Sequence, residues 1–418
     1  MKYKLINDNI LKNYGEELLK QRGIDNVQLF LHPDESCLQS WKDLTNIEKG
    51  INLVKQTINS PGAYAIIGDC DMDGVASFAI LYQYLKRLNP NKEIDWFIHS
   101  GKQHGLSDQI ENLEGKDYEV IWCPDSGSND GKYVEMFPNS IICCLDHHIL
   151  EDDSPVPNNM IIINNQTSPN YHNKDLCGGG VTWQFCRALD YLYNNDWAKD
   201  YVDLCALSLI GDMMSMLNYE NQYLVKKGLQ CINNFAFQVL VDKQSFSMGG
   251  RLNPTTIAFY VVPLVNAMIR VGTMEEKKRL YEAFIDGEKL IPSHKRGANG
   301  SLERLAIESA RECTNAKAAQ DRTKEKVVSK LEGKIFEYGL LDNEILFIRL
   351  EDDDIFPSEL NGLCAMSISA KYHKPVIIAR LNDEGFDRGS ARAPSNTELE
   401  SFKQYLANTG LFEYTLGQ

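Results

Sequence analysis

The stretch Ala65–Ser77, AIIGDCDMDGVAS, runs an apolar segment into three acids at alternate positions, Asp69, Asp71 and Asp73. The apolar part, AYAIIGD, reads as a buried strand, and VASFAILYQYLKRLN after it has the apolar spacing of a helix. Carboxylates this close repel one another, and their pKa values rise unless something positive joins them. The three acids are therefore either a solvated loop or the floor of a cation site. The rest of the chain decides between the two.

Working outward, IDWFIHS, EVIWCPD, SIICCLDHH and MIIINNQ read as four more short strands. Strands alternating with helices predict a mostly parallel α/β sheet, which places ligands at the carboxyl ends of its strands. Asp69, Asp125 and the run Asp146-His147-His148 all stand at such ends. That shared position favours the cation site.

From about Gly178 to Phe284 the pattern turns helical, as in GGVTWQFCRALDYLYNN and TTIAFYVVPLVNAMIRV. A long polar helix is expected from roughly Asn299 to Glu332. It is rich in Arg and Lys (Arg304, Arg311, Lys317, Arg322, Lys324, Lys326, Lys330) and reads slightly better as an ion-paired solvated face than as a nucleic-acid groove. Next, KIFEYGLL and EILFIRL read as strands, PSELNGLCAMSISAKY as a helix, and PVIIARL and FDRGSAR as strands again. The expected organisation is a main α/β domain over 1–290, a connecting helix over 291–333 and a smaller α/β domain over 334–418. LFEYTLGQ ends the chain without a polar tail, which reads as an interruption of that last domain.

The composition is that of a globular chain. Of its 418 residues 43% are hydrophobic and 24% charged, enough for two or three domains. No apolar run reads as bilayer-spanning and MKYKLINDNILKNYG lacks a signal-peptide core, so a cytoplasmic protein without a membrane is expected. Eleven cysteines with no CxxC pair read as buried thiols rather than a thiolate zinc site. A net charge of −15 excludes a surface coated for phosphate binding, but leaves room for a local basic groove.

DCDMDG, PDSG, LDHH and LIGDMMS together supply Asp69, Asp71, Asp73, Asp125, His147, His148 and Asp212. Oxygen ligands with one or two imidazoles suit Mn²⁺ or Mg²⁺. One cation could not use so many carboxylates, whereas two about 3.5–4 Å apart could share them.

With GDCDMDGVAS, CLDHH, GDMMS and the later RGSAR in order, the chain resembles the DHH phosphoesterase superfamily, and within it the RecJ-like single-strand exonucleases. The resemblance covers most of the chain from about Gly68. It implies that Asp69, Asp71, Asp73, Asp125, His147 and Asp212 hold two Mn²⁺ ions, with Mg²⁺ as a substitute and Asp125 as the bridge. His148 is then expected beside the scissile phosphate, and Asp146 behind the histidines. The implied activity is metal-dependent hydrolysis of single-stranded DNA from its 5′ end, releasing nucleoside 5′-monophosphates. It also implies a role in repair or recombination, with a replication or recombination protein as a possible partner.

Substrate contacts follow the same way. VPLVNAMIR resembles a family pattern through Asn266 and Arg270, and departs from it at Leu264 and Ile269. RGSAR resembles the pocket for a terminal phosphate through Ser390 and Arg392, and His104 stands where the family has an aromatic near the substrate. His99 and Lys102 do not align securely with the basic residue expected before it. CGGGV, Cys177–Val181, opens a helix and reads either as a phosphate-facing N-terminus or as a tight turn. The family's C-terminal glycine-histidine motif and oligonucleotide-binding domain are absent from the sequence, so the smaller domain is expected to be incomplete. Two other readings stand beside the exonuclease: a DHH hydrolase of short oligonucleotides or cyclic dinucleotides, and a non-catalytic replication scaffold. Length favours the exonuclease over the first, and the intact acids argue against the second.

Overall fold

The computed structural model describes residues 14–101, 104–150, 155–298, 300–351, 356–382, 385–394, 401–413 and 415, and Lys102 lies outside them. Two compact units emerge, one formed by residues 1–269 with 273–313 and the other by 270–272 with 314–418.

In the first unit, α1 (Ile47–Thr57) precedes β1 (Ala63–Gly68), α2 (Met72–Leu88), β2 (Ile94–Ile98), β3 (Tyr118–Pro124), β4 (Ile141–Asp146) and β5 (Met160–Asn164). All five strands expected from the apolar runs are present, parallel, in the order β2-β1-β3-β4-β5. This order reverses direction between β1 and β3, and the carboxyl ends of strands flanking such a reversal leave a crevice. Asp69 follows β1 and Asp125 follows β3, so topology alone brings the two motifs to one place.

Helices α3 (Gly178–Tyr193), α4 (Val202–Gly211), α5 (Tyr219–Gln230), α6 (Phe235–Gln244), α7 (Val262–Val271) and α8 (Met274–Asp286) follow the sheet in the chain. α4 is buried over nearly its whole length, which is why it carries no polar stripe. The stretch Pro254–Val271 is, contrary to the sequence reading, long and apolar enough to cross a membrane by length and composition. Here it starts with a short turn at Pro254–Thr256 and a π-helical segment at Ile257–Val261, and it buries Ile257, Val261, Val265 and Met268 in the protein. It is a core helix.

A hairpin of β6 (Leu290–Pro292) and β7 (Leu302–Arg304) precedes α9 (Leu305–Glu337), so the long helix begins and ends later than its polarity suggests. KIFE, expected in a strand, is its last turn: Val327, Leu331 and Ile335 recur every four residues and bury one helical stripe. The ion-paired reading of its basic residues holds for Arg311, which meets Glu303 at 2.7 Å, and for Lys317, which meets Asp321.

In the second unit, β8 (Leu346–Leu350), α10 (Asn361–Tyr372), β9 (Val376–Leu381) and β10 (Asp387–Arg392) form a three-stranded sheet with a helix, followed by α11 (Phe402–Asn408). β8 runs parallel and β10 antiparallel to the central β9. Leu346, Ile348, Val376 and Ile378 pack against Cys364, Ala365 and Ile368 of α10 and against the apolar stripe of α9.

Candidate metal centre

β1 delivers Asp69 one residue past its end, and α2 begins three residues later. Asp71 is therefore the N-cap of α2, its Oδ1 accepting the Gly74 N–H at 3.0 Å, and Asp73 sits in the first turn. Asp125 directly follows β3 with φ of +66°, a left-handed conformation that costs an L side chain energy. Its N–H is anchored on the Leu145 carbonyl at 2.8 Å. Glycine would relieve that strain, and glycine holds no carboxylate. β4 ends on Asp146, so His147 and His148 enter the site from the turn, while Asp212 caps the C-terminus of α4.

These elements converge on His147. Its Nε2 lies 3.3 Å from Asp125 Oδ1, 3.5 Å from Asp212 Oδ2 and 3.7 Å from Asp73 Oδ2. Asp125 Oδ1 and Asp212 Oδ2 are buried and have no hydrogen-bond partner. Burial pushes the Asp125 carboxyl well up, and the charges of Asp73 and Asp71 push it further. Asp212 rises to about 8 for the same two reasons, and burial holds His147 below its ordinary value, so it is neutral. Buried carboxylate oxygens with spare lone pairs, gathered around a neutral imidazole, are the donor set of a hard divalent cation. The residues present fit such an ion, and the crowding calls for one.

Asp73 is held differently from its neighbours. Oδ2 accepts the Gly178 N–H at 2.9 Å, Oδ1 the Gly179 N–H at 2.8 Å, and the Ser208 hydroxyl also donates to Oδ1. The CGGGV helix start thus presents its first two glycine N–H groups to an acid of the site, neither to a phosphate nor merely to a turn. Glycine is required there, because a Cβ on Gly178 would stand 2.3 Å from Asp125 Oδ1 and one on Gly179 would stand 2.1 Å from Ser208 Oγ.

Asp146 organises the histidine pair. Its Oδ1 accepts from the His147 N–H at 2.7 Å and meets His148 Nδ1 at 2.7 Å; its Oδ2 accepts from the Ser128 N–H at 3.0 Å. Burial works to raise the Asp146 carboxyl, but its bond to His148 and the charge of that ring outweigh this and hold it well below the usual range. The same bond raises His148 to about 9, so the half-exposed ring is a cation at neutral pH.

Asp69 has other partners. Its Oδ2 meets His104 Nδ1 at 2.6 Å, and its backbone carbonyl accepts from the Tyr281 hydroxyl of α8. Burial raises Asp69 to about 6 even against His104, which the bond to Asp69 raises to about 11. His104, expected near substrate, thus has one ring nitrogen committed to an expected metal ligand. Asp71 belongs to none of the three-residue donor groups formed here among the described residues; it acts through its cap and its charge.

The expected substrate residues are placed as follows. Asn266, on α7, is partly buried with its Oδ1 unpaired; Arg270, on the same helix, groups with the second unit. Ser390 and Arg392 lie two apart on β10, on the side facing the start of α10. A Cβ added to Gly362 would stand 2.9 Å from an Arg392 guanidinium nitrogen and 3.8 Å from Ser390 Oγ. The residues that the sequence did not single out are Ser208 and Tyr281. Nothing in the spacing of either could have marked them, because both reach their partners through tertiary packing.

The model of the DHH family N-terminal domain matches residues 63–209. A Bacillus subtilis protein that carries the name SPbeta prophage-derived single-strand DNA-specific exonuclease YorK is 33% identical over 427 residues, covering all of this chain and 72% of that protein. The chain belongs to the DHH family. Among its relatives this RecJ-like DHH protein is also 23% identical to the single-stranded-DNA-specific exonuclease RecJ of Bacillus subtilis, over 90% of this chain and 46% of that one. Two solved structures share the fold. An exonuclease RecJ bound to manganese aligns with a TM-score of 0.67 at 19% identity, covering 86% of this chain and 85% of that one. RecJ from Thermus thermophilus in complex with Mn²⁺ aligns with a TM-score of 0.66 at 20% identity, covering 88% of this chain and 49% of that one.

Proposed function

We propose that this DHH protein is a phosphodiesterase that uses two divalent cations, Mn²⁺ first, to remove nucleoside 5′-monophosphates from the 5′ end of single-stranded DNA. The observation that carries this reading is the gathering of Asp73, Asp125 and Asp212 within 3.3–3.7 Å of one neutral imidazole nitrogen, two of the facing oxygens being unpartnered. Cations bound there would neutralise the phosphodiester and lower the pKa of a water.

The chain's own residues do the rest. Asp125 stands central to the set, in contact range of His147 and at the end of a strand, and would be the carboxylate shared between the cations. Asp73, pinned by two backbone N–H groups and Ser208, keeps its oxygens aimed without losing side-chain entropy at binding. His148, cationic through Asp146, presents a donor to a phosphate oxygen where negative charge grows. In the second unit Arg392 and Ser390, over the start of α10, hold the terminal 5′-phosphate; a guanidinium fork donates to two phosphate oxygens at once. The names of the relatives support the choice of single-stranded DNA.

The test is digestion of 5′-labelled single-stranded and duplex DNA with Mn²⁺, Mg²⁺ or excess chelator. Release of labelled mononucleotide from single strands with Mn²⁺, and none with chelator, is expected. Cleavage confined to dinucleotides or cyclic dinucleotides would replace this reading with that of a small-substrate hydrolase, and no turnover on any of them would leave a scaffold.

A further inference from the structure

At the Asp69 end the donors change character. Cys70, in the middle of DCD, is half-buried, and its Sγ lies 3.8 Å from both ring nitrogens of His104. His104 Nδ1 is 2.6 Å from Asp69 Oδ2, and one donor atom from each of the three residues lies within 4.8 Å of the others. The centre around His147 offers oxygen and one imidazole; this one offers sulfur, nitrogen and oxygen. Tetrahedral zinc, with Zn–S of about 2.3 Å and Zn–N of about 2.0–2.1 Å, sets its sulfur and nitrogen ligands about 3.6 Å apart. The thiol and the ring already stand near that separation. Only the hydrogen bond from His104 to Asp69 has to open, and His104 is the exposed member of the three.

A second observation points the same way. Asp69 Oδ1 has no hydrogen-bond partner, and neither has His99 Nε2, 3.9 Å from it. Both residues are almost fully buried, and His99 is fixed by Gln109 on its other nitrogen at 3.2 Å. A histidine–aspartate ion pair accounts for His104 and Asp69 Oδ2. It leaves Asp69 Oδ1 and His99 Nε2 unpaired.

We propose that Asp69, Cys70 and His104, with His99 behind them as a fourth donor, form a site for a thiophilic divalent cation of the Zn²⁺ class, and that its occupancy inhibits the enzyme. Binding releases the Cys70 Sγ proton and one ring proton of His104 to solvent, and replaces the His104–Asp69 hydrogen bond by two bonds to the cation. Inhibition follows because Asp69 is then shared and His104 is drawn away from substrate. The site itself stands independently of the phosphodiesterase reading; only the inhibitory consequence rests on it.

Co²⁺ is the probe, because a cobalt–thiolate bond gives a near-ultraviolet charge-transfer band whether or not the protein turns over any substrate. Titrating the intact chain with Co²⁺ should produce that band, and added Zn²⁺ should bleach it. Cys70→Ser should lose it, whereas Cys231→Ser, which removes the exposed thiol, should keep it. No band, or a band undiminished in Cys70→Ser, overturns the site. In parallel, Zn²⁺ should inhibit Mn²⁺-supported DNA hydrolysis by the unmodified chain and inhibit Cys70→Ser much less, each relative to its own zinc-free rate. Equal zinc inhibition of both, with the band lost in the variant, overturns the inhibitory role and leaves the site. Absence of hydrolysis in every condition refutes the phosphodiesterase reading while the cobalt band still decides the site.

Discussion

Asp125 combines two demands that conflict at a single residue: a left-handed backbone and a buried carboxylate without a partner. Alanine there would add backbone strain to the loss of the ligand, so Asp125→Asn is the cleaner variant, since Asn tolerates φ above zero and keeps the shape. It should abolish metal-dependent turnover. It should also raise the melting temperature of the metal-free protein at neutral pH, because one charge leaves the crowd; a melting temperature equal to or below that of the parent would show that the acids are not in conflict. A second prediction concerns Asp146→Asn. His148 would fall from about 9 back toward 6.5, so the alkaline limb of the pH–rate profile should move down by a unit or more while metal binding persists. An unmoved limb, measured under saturating Mn²⁺, would remove His148 from the reaction. At this scale the sequence was legible where an acid or histidine stands at the end of an apolar run: Asp69, Asp125, His147 and Asp212 all lie in motifs, and the last three come together in the fold. It was silent about Tyr281 and Ser208, whose roles exist only once α8 and α4 are packed against β1 and α2.

Among the elements, the glycine start of α3 makes the sharpest demand. Gly179→Ala would force a methyl group against Ser208 and displace Asp73, a clash of the kind that costs about 1–3 kcal/mol of stability. Both the denaturant midpoint and Mn²⁺ affinity should fall; a loss of stability with unchanged Mn²⁺ affinity would separate this helix start from the metal centre. The sequence marked the run as special and left its partner open, because order along a chain does not say which acid a helix end will meet. KIFE failed for a related reason. Its isoleucine and phenylalanine carry strand propensity, yet Ile335 continues the stripe of Val327 and Leu331, and burial of that stripe beside β8 and β9 outweighs the propensity of a few residues. Four of the five parallel strands, by contrast, were plain from apolar runs mostly buried on both faces, whereas β2 at the sheet edge is largely half-buried.

For the molecule as a whole, the acids make metal-free stability depend on pH with a definite sign. Asp69 and Asp212 have folded pKa values raised above 3.8, to about 6 and about 8, so folding favours their protonated forms. Their contribution is fully present below the ordinary carboxylate value and is lost as pH rises through those two values. The melting temperature of the metal-free chain should therefore decline between about pH 5 and pH 8, and Mn²⁺ should restore more of it at the upper end; a flat metal-free profile would contradict the charge conflict. Recognition of a strand end tests the second unit. Arg392→Ala should cost roughly ten- to a hundredfold on 5′-phosphorylated single strands, with little change on 5′-hydroxyl strands at matched salt. An equal loss on both would make Arg392 a general backbone contact. One further consequence follows from the way α3 begins. Its aligned peptide dipoles supply about half a unit of positive charge at the N-terminus, delivered to Asp73 by two amide hydrogens. The protein thus carries a built-in substitute for part of a cation's charge. The peptide backbone thereby keeps Asp73 in place whether or not a cation is bound.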